Sequence, residues 1–112
     1  MQTILLIGGL GFLGTNIIKY IDEYLFDQYR VIVFDKFLEH MHHIQFKSIL
    51  KTYAGDFSDV LLVNDILKNN KIDLVIHALS TTVPTSFFNA RYDIESNLIP
   101  SVELLNGMIA NN

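Results

Sequence analysis

The chain has 112 residues, half of them hydrophobic, and its eight basic residues are outnumbered by twelve acidic ones, for a formal net charge of −4. This length suits one domain, and the hydrophobic share excludes a disordered segment. The basic residues are scattered, which argues against a nucleic-acid partner. The absence of cysteine excludes a disulfide framework and a thiolate metal site. Neither a leader segment nor an apolar run of membrane-spanning length is visible, so we expect a cytoplasmic protein with no membrane partner.

The chain begins with a predicted strand, a glycine-rich turn and a helix. Residues 3–7 form an apolar run typical of a parallel strand covered on both faces, and a helix with apolar residues at helical spacing begins near Phe12. The glycines between them fit two registers, Gly9-x-Gly11-x-x-Gly14 and Gly8-x-x-Gly11-x-x-Gly14. Glycines let the backbone turn sharply and approach a pyrophosphate, to which the start of the helix offers unpaired N–H groups.

The second predicted strand, residues 30–35, ends in Asp35, which follows Gly14 by twenty-one residues. An acid at this spacing can accept hydrogen bonds from both ribose hydroxyls of an adenosine. Asp35 favours NAD over NADP because a 2′-phosphate would meet a like charge, which only the neighbouring Lys36 could soften. We therefore predict a pyrophosphate site formed by the three glycines of the second register and by the backbone N–H groups of Phe12 and Leu13.

Strands and helices continue to alternate along the rest of the chain. After an irregular crossover, the predicted elements are a strand at 51–54, a helix at 59–68 capped by Ser58, a strand at 72–78 and a helix at 93–108. This alternation predicts an α/β fold: a doubly wound parallel sheet, incomplete, with about four strands in the order 3-2-1-4 and helices on both faces.

Four motifs stand in order along the chain. They are Ile7-Gly8-Gly9-Leu10-Gly11-Phe12-Leu13-Gly14, then Gly55-Asp56-Phe57, then Asp73-Leu74-Val75-Ile76-His77-Ala78-Leu79-Ser80, and lastly Asn97 followed by Val102-Glu103-Leu104-Leu105. In order and spacing these motifs resemble those of the extended short-chain dehydrogenase/reductases, and in particular of the NAD-dependent nucleotide-sugar epimerases and dehydratases. Two positions depart from the family pattern, since Ile7 replaces a threonine and Pro100 a glycine.

The resemblance implies that residues 1–112 form a single NAD-binding Rossmann half-domain. It implies that Asp56 and Phe57 contact the adenine, and that the far side of the cofactor is lined by Ala78, Leu79 and Ser80, with Asn97 on the following helix. In this family a nucleotide-sugar is the substrate, and hydride passes to and from NAD at a sugar carbon.

Catalysis in the resembled family rests on a Tyr-x-x-x-Lys pair, in which the lysine lowers the tyrosine pKa. No tyrosine of this sequence has a lysine four residues later. We therefore expect no catalytic residue and no substrate domain within these residues, and no turnover by them alone. The alternatives are a non-catalytic module for dinucleotide binding or protein interaction, and an NAD(P)-dependent reductase of the same superfamily.

Several polar residues have a structural interpretation beside a functional one. His40, His42 and His43 lack a carboxylate or cysteine at matching spacing, so we expect a solvated loop and no metal. We interpret His77 as a buried structural histidine rather than a catalytic base. Asp56 either holds the adenine amine or caps the helix that follows it.

Association is a further expectation. The last predicted strand is apolar and lies at the edge of an incomplete sheet, and such an edge can pair with another chain. A monomer would also leave a large apolar surface in water. We therefore expect a homo-oligomer formed through this exposed edge or through an apolar face.

Overall fold

The computed structural model describes residues 1–36, 46–79 and 89–111. Its strands are β1 (Gln2–Ile7), β2 (Tyr29–Asp35), β3 (Ile49–Ala54) and β4 (Leu74–His77). Its helices are α1 (Phe12–Tyr24), α2 (Val60–Asn69), α3 (Ala90–Asp93), a π-helical segment (Ile94–Leu98) and α4 (Ile99–Ala110). The chain divides into two compact units, one of Met1–Gly55 with Ile72–Ala78 and one of Asp56–Lys71 with Leu79–Asn112.

The first unit contains the whole sheet. Its four strands are parallel and lie in the order β3-β2-β1-β4, which confirms the predicted doubly wound topology. Along β1, Leu5 lies opposite Ile32 on one side and Val75 on the other. Because β1 and β2 are parallel neighbours, their carboxyl ends lie at the same edge of the sheet, where the glycine turn begins.

The core of the first unit lies between α1 and the two central strands. Ile18 and Ile21 of α1 pack with alternate strand residues, among them Leu6, Val31 and Val33. The residues between these on the strands are buried as well: Leu5, Ile7, Ile32 and Phe34 are at most 2% exposed. Burial on both faces is typical of central parallel strands and explains their continuous apolar sequence.

The edge strands differ from their predicted bounds. β3 begins two residues earlier than predicted, at Ile49, and β4 is shorter than the predicted 72–78. Asp73 lies just before β4, where its N–H donates to Thr3 O and its Oδ2 accepts from Thr3 N at 2.8 Å. This pair of hydrogen bonds joins the beginning of β4 to β1 without regular strand pairing.

The first helix of the second unit is α2, which Ser58 was predicted to cap. That prediction is wrong, because Asp59 is the N-cap and its Oδ1 accepts from Leu62 N at 3.2 Å. Ser58 instead donates to Asp56 Oδ1 from both its N–H, at 2.9 Å, and its hydroxyl, at 2.8 Å. Two acids therefore share the entry to α2, one shaping the turn and the other capping the helix.

Residues 90–110 are helical throughout, which lengthens the predicted helix 93–108 at both ends. The earlier start follows from Asn89, whose side-chain oxygen accepts from Tyr92 N at 2.9 Å. The π-helical segment ends at Leu98, two residues before Pro100, and Ile99 N donates to Ile94 O across it. A wider turn at this point accommodates a residue that has no N–H to donate.

Candidate functional site

The glycine turn follows β1 directly and is held against the end of β2. Gly8 has a φ of 79°, which side chains rarely adopt, and its N–H donates to Phe34 O at 2.8 Å. The chain then folds back on itself, since Gly11 N donates to Gly8 O at 3.2 Å. A glycine is therefore required at position 8 by backbone conformation alone.

The other glycines of the turn differ in what a side chain would meet there. A Cβ at Gly14 would lie 2.5 Å from Gly8 O, and one at Gly9 would lie 2.8 Å from Val33 Cγ1. A Cβ at Gly11 would have Gly8 O as its nearest neighbour at 3.5 Å, an ordinary contact distance. Packing thus requires glycine at positions 9 and 14 but not at position 11, where the exposed backbone is open to an approaching group.

The start of α1 opens from this turn without a side-chain cap. Gly11 is the N-cap residue, and no acidic residue lies in the first turn. Phe12 is 90% exposed, and Leu13 is exposed as well. The first N–H groups of a helix have no partner within the helix and carry the positive end of its dipole. The first turn of α1 therefore has the electrostatics of an anion site.

Asp35, the last residue of β2, faces this turn. Its Oδ2 accepts a hydrogen bond from Leu10 N at 2.9 Å, and the carboxylate is half-buried. The structure thus brings together the predicted acid and the predicted glycine turn. The partner of Asp35 in the turn, Leu10, was missed by sequence reasoning, because a backbone N–H is common to nearly every residue and leaves no signal.

The remaining predicted site residues divide between the two units. Lys36 is exposed at the end of β2, and Ala78 N donates to Ile7 O at 2.8 Å, beside the glycine turn. In the second unit, Phe57 is 3% exposed, and Asn97 donates to Asp93 Oδ1 at 2.7 Å. Leu79, also in the second unit, is exposed.

The other predictions concern Ser80, the metal site and His77. Ser80 and the three histidines of the crossover lie outside the described residues. Within the described ranges no group of His, Asp and Glu side chains is suited to a metal. His77 is exposed, so its interpretation as a buried histidine is wrong. Among the described strands, β4 lies at the edge of the sheet and has a neighbour, β1, on one side only. Partial desolvation still lowers the pKa of His77 below its usual value.

A separate apolar groove lies between α1 and the edge strand β4. It encloses about 420 Å³ and is lined by Ile4, Asn16, Ile17, Tyr20, Ile21, Leu25, Tyr29, Leu74 and Ile76. None of these residues belongs to the glycine turn.

In the described part of the chain, no helix has the length and apolar character needed to cross a membrane.

Residues 4–112 match the model of a protein family described as the NAD dependent epimerase/dehydratase family. The chain belongs to this family. The match includes the glycine turn, Asp35 and all the described helices of the second unit. The resemblance inferred from the four motifs is therefore confirmed.

Relatives of known structure or curated sequence agree with this assignment. The chain is 34% identical to a dTDP-D-glucose 4,6-dehydratase of Dictyostelium discoideum and 32% identical to a UDP-glucose 4-epimerase of Lactobacillus helveticus, in each case over 94% of its length. The UDP-glucose 4-epimerase of Bifidobacterium longum, solved with NAD⁺ and UDP, is 30% identical and superimposes with a TM-score of 0.81 over 99% of the chain. The chain spans only 25%, 31% and 34% of these proteins, respectively.

Proposed function

We propose that the glycine turn and Asp35 bind NAD, and that the chain provides the cofactor-binding part of a nucleotide-sugar epimerase or dehydratase. The observation that carries this proposal is the contrast among the glycines. Gly8, Gly9 and Gly14 are explained by conformation or packing, whereas Gly11 has room for a Cβ. Its missing side chain is explained by a ligand whose diphosphate lies against the backbone.

Each part of the site has a distinct role in this proposal. The N–H groups of Phe12 and Leu13 face the diphosphate at the positive end of α1. Asp35 accepts hydrogen bonds from the adenosine ribose, and its negative charge disfavours the 2′-phosphate of NADP despite the neighbouring Lys36. NAD, when bound, supplies the hydride acceptor. The dehydratase and epimerase relatives support this choice of cofactor, since their family is described as NAD dependent.

The more distant predicted contacts remain part of the same proposal. Asp56 and Phe57 are assigned to the adenine, and Ala78, Leu79, Ser80 and Asn97 to the far side of the cofactor. Phe57 is buried, so its contact with the adenine would use the backbone rather than an exposed ring face. The nucleotide-sugar would be bound by residues outside this chain, and a reductase of the same superfamily is the alternative.

Titration calorimetry tests cofactor binding. We expect heat with NAD and at least about tenfold weaker binding of NADP, the scale of one lost charge-assisted contact. Gly11→Ala should weaken NAD binding by a similar factor and leave thermal unfolding unchanged, because its Cβ meets nothing closer than 3.5 Å. The matched control is Gly107→Ala in α4. No heat with either cofactor, or equal NAD affinity in Gly11→Ala, would contradict the proposal.

We also propose that the chain self-associates through an exposed stripe of α4 and the residue before it. Four apolar side chains form this stripe and are between 48% and 78% exposed: Leu98, Val102, Leu105 and Ile109. Their spacing of four, three and four places them on one helical face, opposite the buried Leu104 and Gly107. No charged residue lies within the stripe.

The pattern of the stripe favours a second copy of the same helix as the partner. Leucines alternate with β-branched residues, Val102 and Ile109, at the spacing of a coiled-coil seam, and this alternation is typical of two-stranded pairing. Such a seam is complementary to itself. The edge of β4, which was the other predicted contact surface, has only four residues and presents a half-exposed Leu74.

Light scattering over a wide concentration range tests this association. The chain should be dimeric, and Leu105→Glu should make it monomeric, because a carboxylate in the seam would be buried without a partner. Leu61→Glu is the matched control, since Leu61 is 78% exposed on α2 of the same unit. A monomeric parent chain, or a Leu105→Glu variant that remains dimeric, would contradict this surface.

A further inference from the structure

We infer that Asp35 has a second role, in which its carboxylate holds the glycine turn in the shape that receives the diphosphate. This inference rests on the proposed function of the turn. The carboxylate is bonded to the turn itself, through Leu10 N at 2.9 Å. An acid that served only to recognise ribose would not need this contact.

The turn needs such an anchor because of its own sequence. Three of its four residues from Gly8 to Gly11 are glycines, the residue type with the largest conformational entropy to lose on folding. Gly8 is fixed by Phe34 O, and Gly11 by Gly8 O. Leu10, between them, has its N–H fixed by the Asp35 side chain, so this bond sets the direction of the backbone at the far side of the turn.

Asp35 is itself well placed to act as a fixed point. Asp35 pairs with Ala54 of β3, and the Asp35 carbonyl accepts from Gly55 N at 3.3 Å. These contacts hold the backbone of Asp35 in place. An ionised carboxylate has two oxygens that each accept more than one hydrogen bond. The bond from Leu10 is therefore compatible with a further bond from a ribose hydroxyl, and one side chain can serve in both roles.

This double role has a consequence for cofactor selectivity. Replacing Asp35 by a residue whose side chain accepts no hydrogen bond, in order to admit a 2′-phosphate, would also release Leu10 and loosen the turn. Binding of the diphosphate would weaken for either cofactor. Asp35 is therefore a positioning residue for the phosphates as well as a proposed contact of the ribose, and its substitution does not simply exchange NAD for NADP.

A ligand without ribose hydroxyls separates the two roles. ADP presents the diphosphate and both ribose hydroxyls, whereas 2′,3′-dideoxy-ADP keeps the adenine and the diphosphate but lacks the two hydroxyls. In NMR titrations, Asp35→Ala should weaken dideoxy-ADP binding by about five- to tenfold, the effect of one hydrogen bond. Asp35→Asn should restore it to within about twofold, because the amide oxygen can accept from Leu10 N–H. If Asp35 only reads ribose, Asp35→Ala will leave dideoxy-ADP binding unchanged, and the inference fails.

Amide hydrogen exchange tests the anchor without any ligand, so its result is independent of whether NAD binds. In the parent chain we expect both the Leu10 amide and the Gly8 amide to exchange slowly, because each donates a hydrogen bond. In Asp35→Ala, exchange at Leu10 should become at least about tenfold faster, while the Gly8 amide, which donates to Phe34 O, stays protected. Asp35→Asn should keep Leu10 protected.

The parent chain alone can overturn the inference. A Leu10 amide that exchanges as fast as the uncapped Phe12 amide would show that the carboxylate does not hold the turn. This measurement requires no variant to fold. A parent chain that does not bind NAD but whose Leu10 amide is protected would instead contradict the proposed function, while still supporting the role of Asp35 in holding the turn.

Discussion

The β1–α1–β2 segment and α4 show two different ways in which an apolar sequence is used. In β1 and β2 the residues from Ile4 to Ile7 and from Val31 to Phe34 are at most 4% exposed, on both faces of the sheet. In α4 only Pro100, Leu104 and Gly107 are buried, while the opposite face carries exposed apolar residues. Apolar composition alone therefore does not distinguish a core from a contact surface; the number of covered faces does.

The same substitution in the two regions should expose this difference most strongly. Ile18 of α1 is fully buried, and Ile109 of α4 is 78% exposed. Ile18→Ala should lower the free energy of unfolding by about 3–4 kcal/mol, through lost burial and a cavity. Ile109→Ala should change it by less than about 0.5 kcal/mol at concentrations where the chain is monomeric. Urea denaturation measures both, and equal losses would break the comparison.

The two helical glycines give the next contrast. A Cβ at Gly14 would lie 2.5 Å from Gly8 O and 2.6 Å from Gly9 Cα, both backbone atoms. A Cβ at Gly107 would lie 2.6 Å from Asn64 Oδ1 and 2.8 Å from Leu67 Cδ1, the ends of flexible side chains. Gly14→Ala should therefore cost about 2–3 kcal/mol of stability.

Gly107→Ala should stay within about 1 kcal/mol of the parent chain, because the gain in helix propensity offsets the displacement of Asn64 and Leu67. Thermal unfolding of the two variants makes the comparison. If Gly107→Ala were the more damaging change, the packing of α4 on α2 would tolerate an added methyl group less well than the glycine turn does.

Sequence reasoning predicted the β1–α1–β2 region well because its strands are buried on both faces and so are apolar at nearly every position. Short β-branched apolar runs bounded by glycine and aspartate favour buried parallel strands that end at a turn. The spacing from Gly14 to Asp35 then predicted that the acid and the turn meet, and the bond from Leu10 to Asp35 agrees.

The sequence-based predictions that proved wrong concern positions where two local signals compete, or where the burial of a residue depends on its place in the sheet. Two neighbouring residues, Ser58 and Asp59, are both good N-caps, and only the geometry shows that Asp59 caps α2. The start of the helix at Ala90 depends on Asn89, which precedes any apolar periodicity. His77 follows an apolar run and so resembled a core residue, but an edge strand leaves its side chain exposed.

The entry to α2 provides a smaller test. Asp59→Ala should lower the free energy of unfolding by about 1 kcal/mol, because the N–H of Leu62 loses its cap. Ser58→Ala is the matched neighbour and should cost less, since it removes one exposed hydrogen bond to Asp56 and leaves the backbone one in place. Chemical denaturation compares the two. A larger loss in Ser58→Ala would mean that the turn, not the cap, stabilises this helix.

The smallest expected effect is a pH dependence at the edge of the sheet. Desolvation lowers the pKa of His77 in the folded chain below the usual value of 6.5, so the unfolded chain binds the proton more tightly. The neutral imidazole is therefore fully compatible with folding above about pH 6.5, and stability falls as the pH drops from there through the lowered pKa. The effect is limited because the side chain is exposed. His77→Gln should remove this slope and leave the contribution of every other titrating group in place, so the difference between the two stability profiles from about pH 7.5 to about pH 5 isolates His77. A variant with the same profile as the parent chain would show that the edge strand leaves His77 as well solvated as in the unfolded chain.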